Sequence, residues 1–156
     1  MNSFESLLRV LVDGGVEFIL VGGVAATVHG AVRLTEDLDI VYRRTPENLE
    51  RLAAAVGGLH PYLRGMPPGL PFTLDVRTLR HGLNFTLTTD LGALDLLGEI
   101  TGGGGYESLF PTTHEITLYG LPCRVLSLPR LIEVKRAAGR PKDLEALAEL
   151  EALEDE

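Results

Sequence analysis

The stretches Val21-Gly22-Gly23-Val24 and Asp37-Leu38-Asp39-Ile40 carry the strongest structural signal in the sequence, and thirteen residues separate Gly23 from Asp37. The apolar run that ends at Val21 predicts a buried strand, and the residues from Val24 to His29 predict a short helix. A glycine pair between a strand and a helix allows backbone N–H groups to face an anion. The first stretch therefore predicts a strand, a tight turn and a helix that can approach a phosphate.

Asp37 and Asp39 belong to a second predicted strand, which continues through Ile40 to Tyr42. Side chains two residues apart lie on the same face of a strand, so both carboxylates point the same way. Neighbouring carboxylates repel each other unless a cation holds them. Such pairs commonly bind Mg²⁺ together with substrate phosphates, which points to nucleotide chemistry.

Asp95 is the best candidate for a third metal ligand. It lies in the otherwise apolar run from Ala93 to Leu97, where a carboxylate without a partner is costly to bury. The alternative is that Asp95 lies at an exposed strand end or pairs with an arginine. A charge in this predicted strand should therefore face a cleft, bind a ligand, pair with an arginine or reach solvent at the strand end.

Length and composition favour one soluble globular domain over residues 1–156. Of the 156 residues, 45% are hydrophobic, and no apolar run approaches the length of a membrane span. The N-terminal residues lack the pattern of a signal peptide, so we expect a cytoplasmic protein with no membrane partner. The lone Cys123 cannot form an internal disulfide and gives no sign of a zinc site.

Most of the net charge of -8 comes from the C-terminus. Residues 142–156 contain seven acidic residues and one basic residue, whereas the remaining chain has fifteen acidic and thirteen basic residues. This charge distribution argues against a general polyanion-binding surface, but it allows a local basic groove. The acidic segment suits either a solvated helix face or docking to a basic partner.

Helix and turn signals define an α/β (α+β) domain with a mixed sheet of about five strands flanked by helices. We expect helices over residues 3–13, from Thr45 to about Val56, after Ser127, and from Lys142 to about Leu153. We expect strands over residues 84–88 and 93–97 and a hairpin around Tyr119-Gly120. Residues 57–72, rich in glycine and proline, are expected to form an irregular loop, and Gly102–Gly105 a second one.

The order Val-Gly-Gly-Val-Ala-Ala-x-x-His-Gly-x-x-Arg-x-Thr-x-Asp-Leu-Asp-Ile over residues 21–40 resembles the core motif of the nucleotidyltransferase fold. In that superfamily a glycine-containing turn precedes Asp-x-Asp or Asp-x-Glu, and a third carboxylate follows on a later strand. The C-terminal run from Ser127 to Asp143 is similar to that of small bacterial members, including the AbiEii-like and MenA-like toxin transferases. The resemblance covers nearly the whole chain and implies that C-terminal helices pack on the core.

The resemblance implies transfer of a nucleoside monophosphate from an NTP to a hydroxyl, with Mg²⁺ or Mn²⁺ as cofactor. It assigns three catalytic, metal-binding carboxylates, namely Asp37, Asp39 and Asp95. It also assigns four residues that bind the nucleotide, namely Gly22, Gly23, Arg33 and Lys135. The implied acceptor is an RNA such as tRNA, a protein or a small molecule, and a cognate toxin or antitoxin protein is a further implied partner.

Four alternatives stay open. The fold can serve as an inactive nucleotide- or partner-binding module, such as an antitoxin or a regulatory subunit. Arg33 can pair with Glu36 at the surface, and Lys135 can be an ordinary solvated lysine. A different metal enzyme, such as a phosphodiesterase, is disfavoured because the chain has only four histidines.

Overall fold

The computed structural model describes residues 3–32, 35–67 and 69–155. Within them the helices are α1 (Ser3–Asp13), α2 (Gly22–Val28), α3 (Pro46–Gly57), α4 (Val76–His81), α5 (Tyr106–Leu109), α6 (Leu128–Ala138) and α7 (Pro141–Glu154). The strands are β1 (Phe18–Val21), β2 (Asp37–Tyr42), β3 (Tyr62–Leu63), β4 (Asn84–Thr89), β5 (Gly92–Leu97), β6 (Glu99–Ile100), β7 (Gly104–Gly105), β8 (Thr113–Leu118) and β9 (Leu121–Leu126). The mixed α/β architecture predicted from the sequence is confirmed.

Seven strands form one mixed sheet in the order β3-β4-β5-β2-β1-β9-β8, and β6 and β7 form a separate small ribbon. Strand β1 is antiparallel to β2 and parallel to β9, while β2 is parallel to β5. Strands β4 and β5 are joined by a tight antiparallel turn. The two stretches singled out in the sequence therefore lie side by side at the centre of the sheet.

The two faces of the central strands have different characters. Leu38 and Ile40 of β2 and Leu94 and Leu96 of β5 are fully buried. Because side chains alternate along a strand, the intervening aspartates of β2 and β5 face the opposite side. Burial of the leucine and isoleucine side chains thus fixes the direction of the carboxylates.

Helix ends follow the expected local chemistry. Thr45 caps α3 by accepting a hydrogen bond from the Asn48 backbone N–H, and Ser127 caps α6 in the same way through Arg130. Gly139 ends α6 in the left-handed conformation, with φ of 64°. Helix α6 packs against α7 and α2, which confirms that the C-terminal helices pack on the core.

The expectation of about five strands was too low, because the main sheet has seven. The strand of the main sheet that the sequence patterns miss is β3, which lies inside the predicted irregular loop. Outside that sheet, Gly104–Gly105 forms β7 within the second predicted loop. Strand β3 exists because Tyr62 and Leu63 pair with Thr88 and Leu87 of β4, more than twenty residues away. Helix α2 also begins at Gly22, two residues earlier than predicted.

Candidate active site

A cluster of three carboxylates lies where β2 and β5 run side by side. The parallel register places Asp39 opposite Asp95 and Asp37 opposite Ala93. One oxygen from each of Asp37, Asp39 and Asp95 lies within 4.8 Å of the others, and all three residues are half-buried. The three predicted metal ligands therefore converge within reach of one cation.

The electrostatics of the cluster disfavour three negative charges. Burial, followed by the nearby Asp95 and Asp37, raises the pKa of Asp39 from 3.8 to about 7, although Lys135 acts in the opposite direction. Burial also raises the pKa of Asp95, against the effect of Arg64. A hydrogen bond between the two carboxyl groups adds to these effects, because it raises the pKa of Asp39 and lowers that of Asp95.

The donor set fits a hard divalent cation. Oδ1 of Asp39 is buried and has no hydrogen-bond partner among the described residues. A buried oxygen without a partner is costly unless something binds it. Three carboxylates that converge on one point, one of them with an unused oxygen, match the ligand preferences of Mg²⁺ and Mn²⁺.

The glycine pair makes room for the residues around the cluster. Gly22 has φ of +66°, and a Cβ atom at this position would collide with the carboxylate of Asp39. A Cβ atom on Gly23 would lie 2.6 Å from Cβ of Thr35. Glycine is therefore required at both positions because a side chain would collide with its neighbours. This packing requirement adds to the close approach of the backbone to an anion that the sequence predicts.

Arg64 joins the cluster, although no sequence pattern selects it. Nη1 of Arg64 lies 3.3 Å from Oδ2 of Asp37, and Nη2 makes a closer ion pair with Asp95. Arg64 follows the two-residue strand β3, in the segment expected to be an irregular loop. The alternative considered for Asp95, an arginine partner, is thus realised together with convergence on Asp37 and Asp39.

Lys135 and Arg140 are held by a buried carboxylate. Asp143 is fully buried; its Oδ1 accepts a hydrogen bond from Lys135 Nζ at 3.3 Å, and its Oδ2 accepts one from Arg140 Nε at 2.6 Å. Burial raises the pKa of Asp143, but the hydrogen bonds from Arg140 and Lys135 outweigh it and lower the pKa overall. An ionised Asp143 therefore fixes two cationic groups at the start of α7.

A cleft of about 360 Å³ lies beside the carboxylates, a volume within the usual range for small-molecule sites. Its polar lining includes Gly22, Asp39, Lys135 and Arg140. Its apolar lining comes from the end of β5, the start of the small ribbon and α6, namely Leu97, Ile100, Leu131, Val134 and Ala138. Asp39 thus belongs both to the carboxylate cluster and to the lining of the cleft, which also includes Lys135 and Arg140.

Comparison with known proteins identifies the architecture. No protein-family model matches the sequence, and no curated protein is detectably similar to it. A proposed nucleotidyltransferase of Thermotoga maritima superposes with a TM-score of 0.62 at 14% identity, over 94% of this chain and 88% of that one. The chain has the nucleotidyltransferase fold.

The antibiotic-resistance factor ANT(2'')-Ia also shares this fold. Its solution structure matches with a TM-score of 0.52 at 18% identity, over 97% of this chain and 86% of that one. Its crystal structure with adenylyl-2''-tobramycin matches with a TM-score of 0.52 at 17% identity, over 96% and 91% of the two chains. The match to the nucleotidyltransferase fold therefore extends over nearly the whole chain, as the resemblance implied.

His29 and Cys123 have ordinary structural positions in this nucleotidyltransferase fold. Arg33 lies outside the described residues. Nε2 of His29 lies 2.8 Å from the carbonyl oxygen of Leu126, so this histidine joins α2 to β9. Cys123 is buried in β9. None of the described helices has the length and apolar character needed to cross a lipid bilayer.

Proposed function

We propose that the protein is a Mg²⁺-dependent nucleotidyltransferase that moves a nucleoside monophosphate from an NTP to a hydroxyl group. In this reaction the acceptor oxygen forms a bond to the α-phosphorus, the bond from that phosphorus to the bridging oxygen breaks, and pyrophosphate leaves. The observation that carries the proposal is the convergence of Asp37, Asp39 and Asp95 beside a cleft that also contains Lys135.

The three carboxylates are the proposed metal ligands. A bound Mg²⁺ or Mn²⁺ ion would lower the pKa of the acceptor hydroxyl and neutralise charge on the α-phosphate and the leaving pyrophosphate. Asp39 must give up its proton before it can bind the ion, and Lys135 favours the ionised form. In this proposal the protein acts by positioning and electrostatics, without a covalent intermediate.

The triphosphate is proposed to lie in the cleft between the glycine turn and the start of α7. Gly22 and Gly23 allow the backbone to come close to it, and Lys135 and Arg140 supply positive charge. Arg33, selected from the resemblance, is proposed as a further phosphate contact. The apolar side chains of the cleft provide a surface for the nucleoside.

The acceptor is proposed to be an RNA such as tRNA, a protein or a small molecule. The adenylylated tobramycin in one structural neighbour makes a small hydroxyl compound a reasonable first choice. We further propose a cytoplasmic enzyme of one domain over residues 1–156. The resemblance to small bacterial toxin transferases supports a role in a toxin–antitoxin pair with a cognate protein partner.

An inactive nucleotide- or partner-binding module is the second candidate. It is favoured by the Arg64 ion pairs, which balance Asp37 and Asp95 without a metal ion. In such a module the fold and the nucleotide cleft remain, and the chemistry is absent. The two candidates differ in one property, which is whether pyrophosphate is released.

The test is pyrophosphate release from each of the four NTPs, with Mg²⁺ or Mn²⁺, in the presence of tRNA, protein or aminoglycoside acceptors. An α-labelled NTP in the same reaction locates the transferred nucleotide. Asp39→Asn removes a proposed ligand. Asp90→Asn is the matched control because Asp90 is an exposed aspartate in the turn before β5, and its one ion pair, with the exposed His60, is of a kind that contributes little to stability.

We expect release and transfer with the unaltered protein and Asp90→Asn, and neither with Asp39→Asn. Calorimetric titration of the same NTPs separates the two candidates. Metal-dependent NTP binding without turnover over the whole acceptor panel would favour the module. No binding of any NTP by the folded protein would reject the nucleotide site altogether.

A further inference from the structure

Arg64 reaches the carboxylate cluster from the edge of the sheet. Its backbone N–H donates to the carbonyl of Thr86 at 2.9 Å, which extends the pairing of β3 with β4 by one residue. Its guanidinium also donates from Nη2 to the carbonyl of Leu87 at 3.3 Å. Both carbonyl groups belong to β4, which lies next to β5, the strand of Asp95. The register of the sheet therefore directs the Arg64 side chain towards the cluster.

The guanidinium bridges two of the three proposed metal ligands. It pairs with Asp37 through Nη1 and with Asp95 through Nη2, two carboxylates on different strands. The side chain of Arg64 is 34% exposed and that of Asp95 only 16% exposed, so the contact is partly shielded from water. The Arg64 guanidinium and a metal ion bound to both Asp37 and Asp95 would therefore need the same two carboxylate groups.

Charge balance gives this contact a role. Asp37, Asp39 and Asp95 would together place three negative charges within 4.8 Å. Without a metal ion, the only described basic side chain within ion-pair distance of Asp37 or Asp95 is that of Arg64. Lys135 and Arg140, in contrast, pair with Asp143. Arg64 is therefore the counter-ion of the carboxylate cluster.

We propose that the Arg64 guanidinium competes directly with the divalent cation, and that it must release Asp37 and Asp95 before a metal ion can bind. The inference deepens the proposed function, since it requires the metal site but not the transfer reaction. It predicts that metal binds the free protein more weakly than the three carboxylates alone would allow. It also predicts that the loss of Arg64 strengthens metal binding while it weakens the metal-free fold.

The experiment is a titration with MnCl₂ in the absence of nucleotide, followed through the electron paramagnetic resonance signal of free Mn²⁺. Arg64→Gln removes the charge and the bridge. Arg64→Lys keeps the charge, but an ammonium group has no planar fork with which to hold two carboxylates at once. Arg77→Gln on α4 is the matched control for the loss of an arginine elsewhere.

We expect Arg64→Gln to bind Mn²⁺ at least about fivefold more tightly than the unaltered protein, a typical size for a coupling between two ligands. Arg64→Lys should also bind more tightly, by a smaller factor, and Arg77→Gln should be unchanged. Equal or weaker binding by Arg64→Gln would overturn the inference. Tighter binding by Arg64→Gln with no change in Arg64→Lys would also overturn it, because charge alone would then explain the effect.

Thermal unfolding supplies a second readout. In EDTA, Arg64→Gln should unfold at a lower temperature than the unaltered protein, and saturating Mn²⁺ should raise its Tm by more than it raises that of the unaltered protein. If Mn²⁺ binds to neither protein, with or without an NTP, the metal site itself fails and the proposed function fails with it. If Mn²⁺ binds equally to both, only the competition by Arg64 is rejected.

Discussion

Replacement of Asp39 by asparagine should stabilise the metal-free protein. The pKa of Asp39 rises from 3.8 to about 7 on folding because of burial and the neighbouring Asp95 and Asp37. The native state therefore keeps a proton that the unfolded chain loses, and the free energy of unfolding falls as the pH rises from about 4 to about 7. Asparagine is a neutral isostere that can still donate a hydrogen bond to Asp95.

The size of the effect follows from the shift. A rise of about three pKa units corresponds to at most about 4 kcal/mol at pH 8, at 1.36 kcal/mol per unit. Partial exposure and relaxation of the cluster reduce this figure, so we expect a gain of about 2 kcal/mol. For a chain of this length, that gain raises Tm by about 4–8 °C. Near pH 4.5 the gain should fall to about a quarter, because only a small part of the shift has then been titrated.

The assay is thermal and urea unfolding in EDTA at pH 8 and at pH 4.5, with Asp90→Asn as the control. The control should differ little from the unaltered protein at either pH, because the ion pair between Asp90 and His60 is exposed to solvent. The reasoning is refuted if Asp39→Asn is no more stable at pH 8, or if its gain is the same at both pH values. In Mn²⁺ the order should reverse, since the variant has lost a ligand and gains nothing from the metal.

Three further predictions concern the carboxylate cluster and the residues around it. Metal affinity should fall about tenfold per pH unit below about pH 7, because Asp39 must lose its proton before it binds the ion. Mn²⁺ titrations at about pH 5.5, 6.5 and 8 measure this, and the same affinity at all three pH values would contradict the prediction. Asp143→Asn should weaken NTP binding and lower the free energy of unfolding by about 2 kcal/mol, because Lys135 and Arg140 lose a buried counter-ion. Calorimetry measures the binding and urea unfolding the stability, and unchanged binding would refute the assignment of Lys135 and Arg140 to the triphosphate. Gly22→Ala should lower the free energy of unfolding by about 2 kcal/mol or more, because Gly22 has a positive φ and a Cβ there collides with Asp39. Gly58→Ala has open space around its Cβ and should change that free energy by less than about 0.5 kcal/mol in urea unfolding, so equal losses in the two variants would refute the steric argument.

The carboxylate cluster could be predicted because strand periodicity is a local property. Asp37 and Asp39 lie two residues apart in a recognisable strand, and Asp95 interrupts an apolar run in another. These patterns fix which face each side chain occupies, although they do not fix the distance between the strands. The parallel pairing of β2 with β5 supplies that distance, and the sequence carried no signal for it.

Arg64 shows where local reasoning stops. It follows a strand of two residues in a segment rich in glycine and proline, where turn signals outweigh strand signals. Its contact with Asp95 spans 31 residues and depends on the order β3-β4-β5 in the sheet. Only tertiary pairing stabilises so short a strand, so neither the strand nor its arginine could be predicted from the sequence.

Asp143 illustrates a different gap. Its position at the start of a predicted helix is explained by the helix dipole, which favours an exposed acidic residue there. In the structure Asp143 is instead fully buried between Lys135 and Arg140. The approach of α7 to α6 decides this burial, and helix–helix packing cannot be deduced from the residues of one helix.

The proposed function requires that Asp37, Asp39 and Asp95 bind one or more divalent cations together with a nucleotide. The most direct test is anomalous X-ray scattering from crystals grown with MnCl₂ and an NTP analogue that cannot be cleaved between the α- and β-phosphates. We expect a manganese peak in contact with all three carboxylates, with the triphosphate directed towards Lys135 and Arg140. A nucleotide bound elsewhere, or a cluster still bridged by Arg64 with manganese absent at saturating concentration, would contradict it.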